Sequence, residues 1–137
     1  DGSPQNSCFR FYSPLTVLYR RSFLGKLPFA KKELGKFLMK DEDLEKTTEA
    51  DWIMGSALMV SAKAIKKAGF MDEDLFMYMS DVDWAKRFWK NGYKVVYYPE
   101  SQMYHYHRRG SKGGVLDLLL KNEARWHLRD AIKYFSK

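Results

Sequence analysis

The apolar positions of this chain fall into spacings that predict most of its elements. Trp52-Ile53-Met54-Gly55-Ser56-Ala57-Leu58-Met59-Val60 is a short apolar run bounded by charge, the pattern of a buried strand. Ser61 then suits the N-cap of a helix over Ala62 to Ala68, stopped by Gly69. Val82, Ala85, Phe88 and Trp89 recur at helical spacing and predict a second amphipathic helix. Ser80 would cap it, with Asp83 three residues on as the acid of a capping-box-like pair, and Gly92 would end it. Tyr93 to Tyr98 is β-branched and aromatic and closes at Pro99, which predicts a strand. Met103 to His107 reads as another short strand, and Val115 to Phe135 as one long amphipathic helix or two.

The remaining segments are punctuated differently. The opening dozen residues are polar with Gly and Pro, a surface loop. Between Pro14 and Lys40, Arg20, Arg21, Lys26, Lys31, Lys32, Lys36 and Lys40 face a single acid, Glu33, and are interleaved with Leu, Val and Phe. Gly25, Pro28 and Gly35 interrupt that zone, so short helical turns and loops are expected. Asp41 to Asp51 is acidic and polar, an exposed linker. The chain thus divides into a loop-rich basic region (1–50), a core motif region (51–111) and a C-terminal amphipathic helix (112–137).

Composition narrows the classes. At 137 residues and 45% apolar, the chain suits one domain with a real core and is not a disordered tail. No apolar run approaches the roughly 18–20 residues of a membrane span, and the first residues lack a signal-peptide pattern. The abrupt start is that of a piece of a longer protein. Cys8 is the sole cysteine, which excludes an internal disulfide and a cysteine zinc cluster and favours a reducing, cytoplasmic setting. The net charge of +7 is concentrated in the 14–40 zone. That zone reads either as basic residues outside a packed apolar layer, or as a contact for an anionic membrane surface or, least of all, nucleic acid.

Candidate chemistry lies in carboxylates and histidines. Asp41-Glu42-Asp43, Asp72-Glu73-Asp74 and Asp81-Val82-Asp83 are three Asp-x-Asp triplets, able in principle to hold Mg²⁺ or Mn²⁺ against a diphosphate. The first two read as solvated turns. The third sits where a helix begins, and a carboxylate there is favoured by the helix dipole whatever its function. His105 and His107 would share one face of a strand, followed by Arg108 and Arg109, which suit a phosphate clamp or solvent equally.

The order of these pieces is more telling than any one of them. Asp51-Trp52-Ile53-Met54-Gly55-Ser56-Ala57 resembles the D-W-x-x-G-A strand of family 2 glycosyltransferases, especially their rhamnosyltransferase-like members. Gly69-Phe70-Met71-Asp72-Glu73-Asp74-Leu75-Phe76-Met77-Tyr78-Met79-Ser80-Asp81-Val82-Asp83 is similar to the same family's G-x-(F/M)-D-E-x-(F/L)-F-M-Y-x-E-D-x-D. Arg87, Gly92-Tyr93, Val96-Tyr97, Pro99 and His105 continue in register, and Tyr134-Phe135-Ser136-Lys137 resembles the terminal Y-F-x-K. One departure stands next to the key acid: Ser80 replaces the Glu of the E-D pair.

The resemblance implies a mixed α/β piece, a few strands flanked by helices, that completes a GT-A fold. It would be the C-terminal, acceptor-binding half, with the nucleotide-binding half absent and the piece alone inactive. The intact enzyme would move a sugar, with inversion, from a nucleotide-diphosphate donor to a saccharide or polyprenol-linked acceptor. By the same resemblance Asp81 is the general base; Trp52, Phe76, Tyr78 and Asp83 are candidate acceptor contacts, core packing being the alternative for the aromatics. His105, with Arg108 and Arg109, is a candidate metal or diphosphate contact. A divalent cation (Mg or Mn) would be bound mostly by the missing half, peripheral membrane contact would run through 14–40 at the cytoplasmic face, and no nucleic acid is expected. The alternative is a non-catalytic basic module for an anionic membrane or nucleic acid.

Overall fold

A computed structural model describes residues 5–104 and 122–137. The ordered framework begins earlier than the polar opening suggests, because Cys8–Phe9 (β1) is buried and pairs antiparallel with Trp52–Ile53 (β3), Phe9 opposite Trp52. Thr48–Glu49 (β2) pairs antiparallel with Val96–Tyr97 (β4). Both ladders belong to one extended stretch: Ala50 N–H donates to Val95 C=O at 3.1 Å, and Asp51 N–H to Phe9 C=O at 3.0 Å. Successive amides of a strand point to opposite edges. The expected exposed linker is solvated along most of 41–49 and ends in strand pairing, with Ala50 buried between the two ladders.

The predicted strand at 52–60 stops after Ile53. Met54 N–H still reaches Ser7 C=O at 2.7 Å, but the next amide, Gly55, turns to a side chain, the Asp81 carboxylate. Leu58 and Met59 are exposed, so the apolar run is not a buried strand along its length. Likewise the 93–98 strand makes a ladder only at Val96–Tyr97, and Met103 and Tyr104 have no regular structure. The rest of the strand expected at 103–107, and 115–121 of the C-terminal helix, lie outside the described residues.

Among the described residues five α-helices surround these strands, α4 in closest contact with β3. Pro14–Arg21 (α1) is capped by Ser13, whose Oγ accepts from Thr16 N–H at 3.1 Å. A 3₁₀ turn at Phe23–Lys26 leads to Pro28–Phe37 (α2), in which Pro28 takes the first-turn position where its missing N–H costs nothing. Gly25 is required at this corner, since a Cβ would lie 2.2 Å from Tyr19 C=O. Ala62–Ala68 (α3) is capped by Ser61 and ended by left-handed Gly69, as its sequence predicts. Ser80–Lys90 (α4) and Asn122–Phe135 (α5) bury Val82 and Ala85 in one cluster with Ala131 and Tyr134, while Phe88, also buried, packs against Trp84.

The core joins these helices to β1 and β3. Phe9 stacks on Trp52 with centroids 4.4 Å apart, and Tyr12 covers the same indole at 5.6 Å. Such pairs add about 0.5–1.5 kcal/mol each beyond their buried area. Trp52, for which cleft and core were alternatives, is in the core: it is 5% exposed, and its Nε1–H donates to Arg10 C=O.

Candidate active site

The acid end of α4 is built differently from its sequence-based expectation. Ser80 is not the cap. Met79 occupies that position in the left-handed conformation (φ 64, ψ −3), no side chain caps the helix, and Ser80 is the first helical residue. Asp81 is the second, and its carboxylate is held from two sides. Oδ1 accepts from Val82 N–H at 2.9 Å, and Oδ2 accepts from Gly55 N–H at 3.0 Å. Burial pushes the Asp81 carboxyl above its ordinary value, while the Gly55 and Val82 amides pull it back. Asp81 as a residue is half-buried, beside the exposed 55–57 turn.

Asp83 is not part of that site. Residues two apart on a helix project to different faces, and the Asp83 side chain turns to the opposite flank. There Oδ2 accepts from Arg87 Nε at 2.9 Å and Oδ1 from Lys137 Nζ at 3.3 Å. Arg87 also donates to Ala68 and Phe70 C=O, which ties α3 to α4. This corrects the capping-box expectation for Asp83, which is 5% exposed and paired with two cations. Asp72 shares Lys137, whose hydrogen bond, with the Asp74 amide, holds the Asp72 carboxyl below its ordinary value. An open depression of about 460 Å³ lies on this flank, lined in part by Phe70, Asp72, Asp83 and Arg87. The first triplet is a solvated loop in which Asp43 pairs with Lys46 at 2.7 Å.

Around Asp81 the structure assembles groups that sequence reasoning missed. Burial raises the Tyr12 phenol, as does the charge of Asp81; Arg20, whose guanidinium donates to Tyr12 Oη, opposes both. That guanidinium lies 5.7 Å from the Tyr12 centroid and 5.4 Å from that of Phe37, a cation–π arrangement. On α5, His127 packs against Tyr78 at 4.8 Å. Burial, then the nearby Arg21 and Arg20 charges, lower His127 to about 4, so it is neutral at physiological pH. Phe76 is exposed and meets Trp126 edge-on at 5.2 Å. Phe76 and Tyr78 thus lie on the α5 side of Asp81's own approach segment, whereas Trp52 is beneath it in the core. No motif flagged His127 or Asp130. The available signal was polarity on the otherwise apolar 124–131–134 face of α5.

His105, Arg108 and Arg109 lie outside the described residues. Among the described residues no three His, Cys, Asp or Glu side chains converge as metal ligands. The described residues do not fit a divalent cation.

Residues 14–130 match the family model described as glycosyl transferase family group 2. The chain belongs to that family. Within it, the chain is 42% identical over 62 residues to N-acetylglucosaminyl-diphospho-decaprenol L-rhamnosyltransferase from two strains of Mycobacterium tuberculosis, CDC 1551 / Oshkosh and ATCC 25618 / H37Rv. Those matches cover 45% of this chain and 20% of each relative, so the shared stretch is a fifth of the relatives' length. No solved structure matches the chain. The mixed α/β arrangement of this glycosyl transferase group 2 chain, with short antiparallel ladders under five helices, is that of a partial GT-A fold.

Proposed function

We propose that this chain is the acceptor side of an inverting glycosyltransferase, with Asp81 as general base. The acceptor hydroxyl gives its proton to an Asp81 carboxylate oxygen as its own oxygen bonds to the anomeric carbon of a nucleotide-diphosphate sugar. The bond from that carbon to the diphosphate breaks, and the electron pair leaves with the diphosphate. One displacement inverts the centre. The observation that carries the reading is the half-buried carboxylate of Asp81, fixed by two backbone amides at a helix start. A raised carboxyl pKa also brings a base nearer to its working pH.

The acceptor we propose is a saccharide on a polyprenyl diphosphate, the kind of acceptor named for the mycobacterial relatives. A divalent cation is proposed for the donor diphosphate, on residues outside those described. Peripheral contact with an anionic membrane would run through the 14–40 zone, at the cytoplasmic face. Leu15, Leu18, Phe23 and Phe29 are exposed there among seven basic residues and one acid. No described helix is long and apolar enough to cross a membrane.

The test is Asp81→Asn in the longest natural form of the protein, assayed for sugar transfer to a lipid-linked saccharide. Loss of a positioned base is expected to slow transfer about 10²–10⁴-fold. Turnover close to that of the unaltered protein would remove Asp81 from the mechanism.

A further inference from the structure

We infer that Asp130, on α5, is the positioning residue for Asp81, acting through the backbone turn that launches α4; the inference rests on the reading of Asp81 as base. Asp130 is 0% exposed. Its Oδ2 accepts from Met77 N–H at 3.0 Å and from Tyr78 N–H at 2.9 Å, more than 50 residues away in sequence. Its Oδ1 is buried with no hydrogen-bond partner among the described residues. Burying a carboxylate with one oxygen unpaired is costly, and what it supplies is a charge-assisted acceptor for two backbone amides of the loop before α4.

The two amides it holds are those a strained turn most needs held. Met77 and Tyr78 immediately precede Met79, whose left-handed backbone is disfavoured for a residue with a side chain. Met79 sets the direction in which α4 leaves, and Asp81 is two residues further on. Met79 itself is 3% exposed, so its side chain anchors the turn from below while Asp130 anchors it from the α5 side. With the turn fixed, Asp81 Oδ2 falls on the Gly55 amide of a different segment. Among the described residues the Asp81 carboxylate accepts from the Gly55 and Val82 amides and Asp130 from those of Met77 and Tyr78, so the two acids meet only through the 77–81 backbone. The coupling is therefore geometric.

The experiment replaces Asp130 by Asn and by Ala in the full chain. It reads amide hydrogen exchange at Gly55, Met77 and Tyr78 together with the carbon NMR titration of the Asp81 carboxyl. Asp130→Asn keeps the shape and one carbonyl acceptor but loses the charge. Exchange at Met77 and Tyr78 is expected to rise about tenfold, the loss of charge assistance in two hydrogen bonds. Gly55 should rise with them, and Asp81 should titrate lower as its loosened carboxylate meets more water. Asp130→Ala should exaggerate each change; where it fails to fold, the Asn variant carries the test. In a transfer assay both variants should lower kcat, leave KM for donor and acceptor unchanged, and move the acid limb of the pH profile to lower pH. Met77 and Tyr78 exchanging faster while Gly55 and the Asp81 titration stay unchanged would reduce Asp130 to a structural role and overturn the inference. Unchanged exchange at Met77 and Tyr78 would overturn it too. Should Asp81→Asn retain transfer, the base reading fails, and the exchange data still decide the coupling separately.

Discussion

Gly55 donates its backbone N–H to the Asp81 carboxylate at 3.0 Å, joining two segments 26 residues apart. The bond ends a strand and fixes an acid in the same contact. A Cβ on Gly55 would lie 3.5 Å from Asp81 Oδ2, in ordinary van der Waals contact. Gly55→Ala is therefore expected to fold with stability within about 0.5 kcal/mol of the unaltered chain. Its methyl would crowd the approach to the base and lower kcat/KM about tenfold, or about 1.4 kcal/mol in the barrier. Urea denaturation and a transfer assay on one preparation separate the two effects.

His127 gives the chain a pH-dependent stability of known sign. Its folded value, about 4, is below the ordinary 6.5, so between those values the unfolded chain binds the extra proton. Stability is then fully present above about pH 6.5 and is lost as pH falls towards 4. The loss is on the order of 2 kcal/mol once solvent screening is allowed for. Chemical denaturation at several pH values measures it, and His127→Gln should flatten the profile across that window.

Asp83 should behave as a structural acid. Its carboxylate is enclosed by Arg87 and Lys137, and Arg87 in turn holds two carbonyls at the end of α3. Both cations are partly exposed and keep other partners, Arg87 two carbonyls and Lys137 the Asp72 carboxylate, so removing the acid costs about 1–3 kcal/mol. Asp83→Ala is expected to lower the unfolding free energy by that amount, read from denaturant titrations. KM for the acceptor should not change in whatever fraction remains folded; a selective rise in KM would return Asp83 to the acceptor site.

Phe23 is 76% exposed and Phe29 56%, on the same basic surface as Lys26, Lys31 and Lys32. Aromatic insertion and lysine attraction of roughly 1 kcal/mol per residue would act together on an anionic bilayer. Replacing both Phe residues by Ser is expected to weaken binding to phosphatidylglycerol vesicles about tenfold or more without changing stability. Raising the salt concentration should weaken the unaltered chain as well. Equal binding by both chains in a vesicle flotation assay would remove this surface from the proposal.

Short-range pattern, read from the sequence alone, determined several features of this protein. Ser61 and Gly69 bound α3 because a hydroxyl cap and a left-handed glycine act within a few residues of themselves. The stripe Val82, Ala85 and Phe88 faces the core because helical period is local, and Asp81 stands at a helix start for the same reason. Tertiary structure alone decided where the apolar run after Trp52 stops, since the competitor for the Gly55 amide comes from a distant helix. It likewise decided that Asp81 and Asp83 part company, because Lys137 and Arg87 meet only once α4 and α5 pack. Asp130 was illegible for a related reason: its partners are backbone amides, and a backbone amide leaves no mark in the sequence.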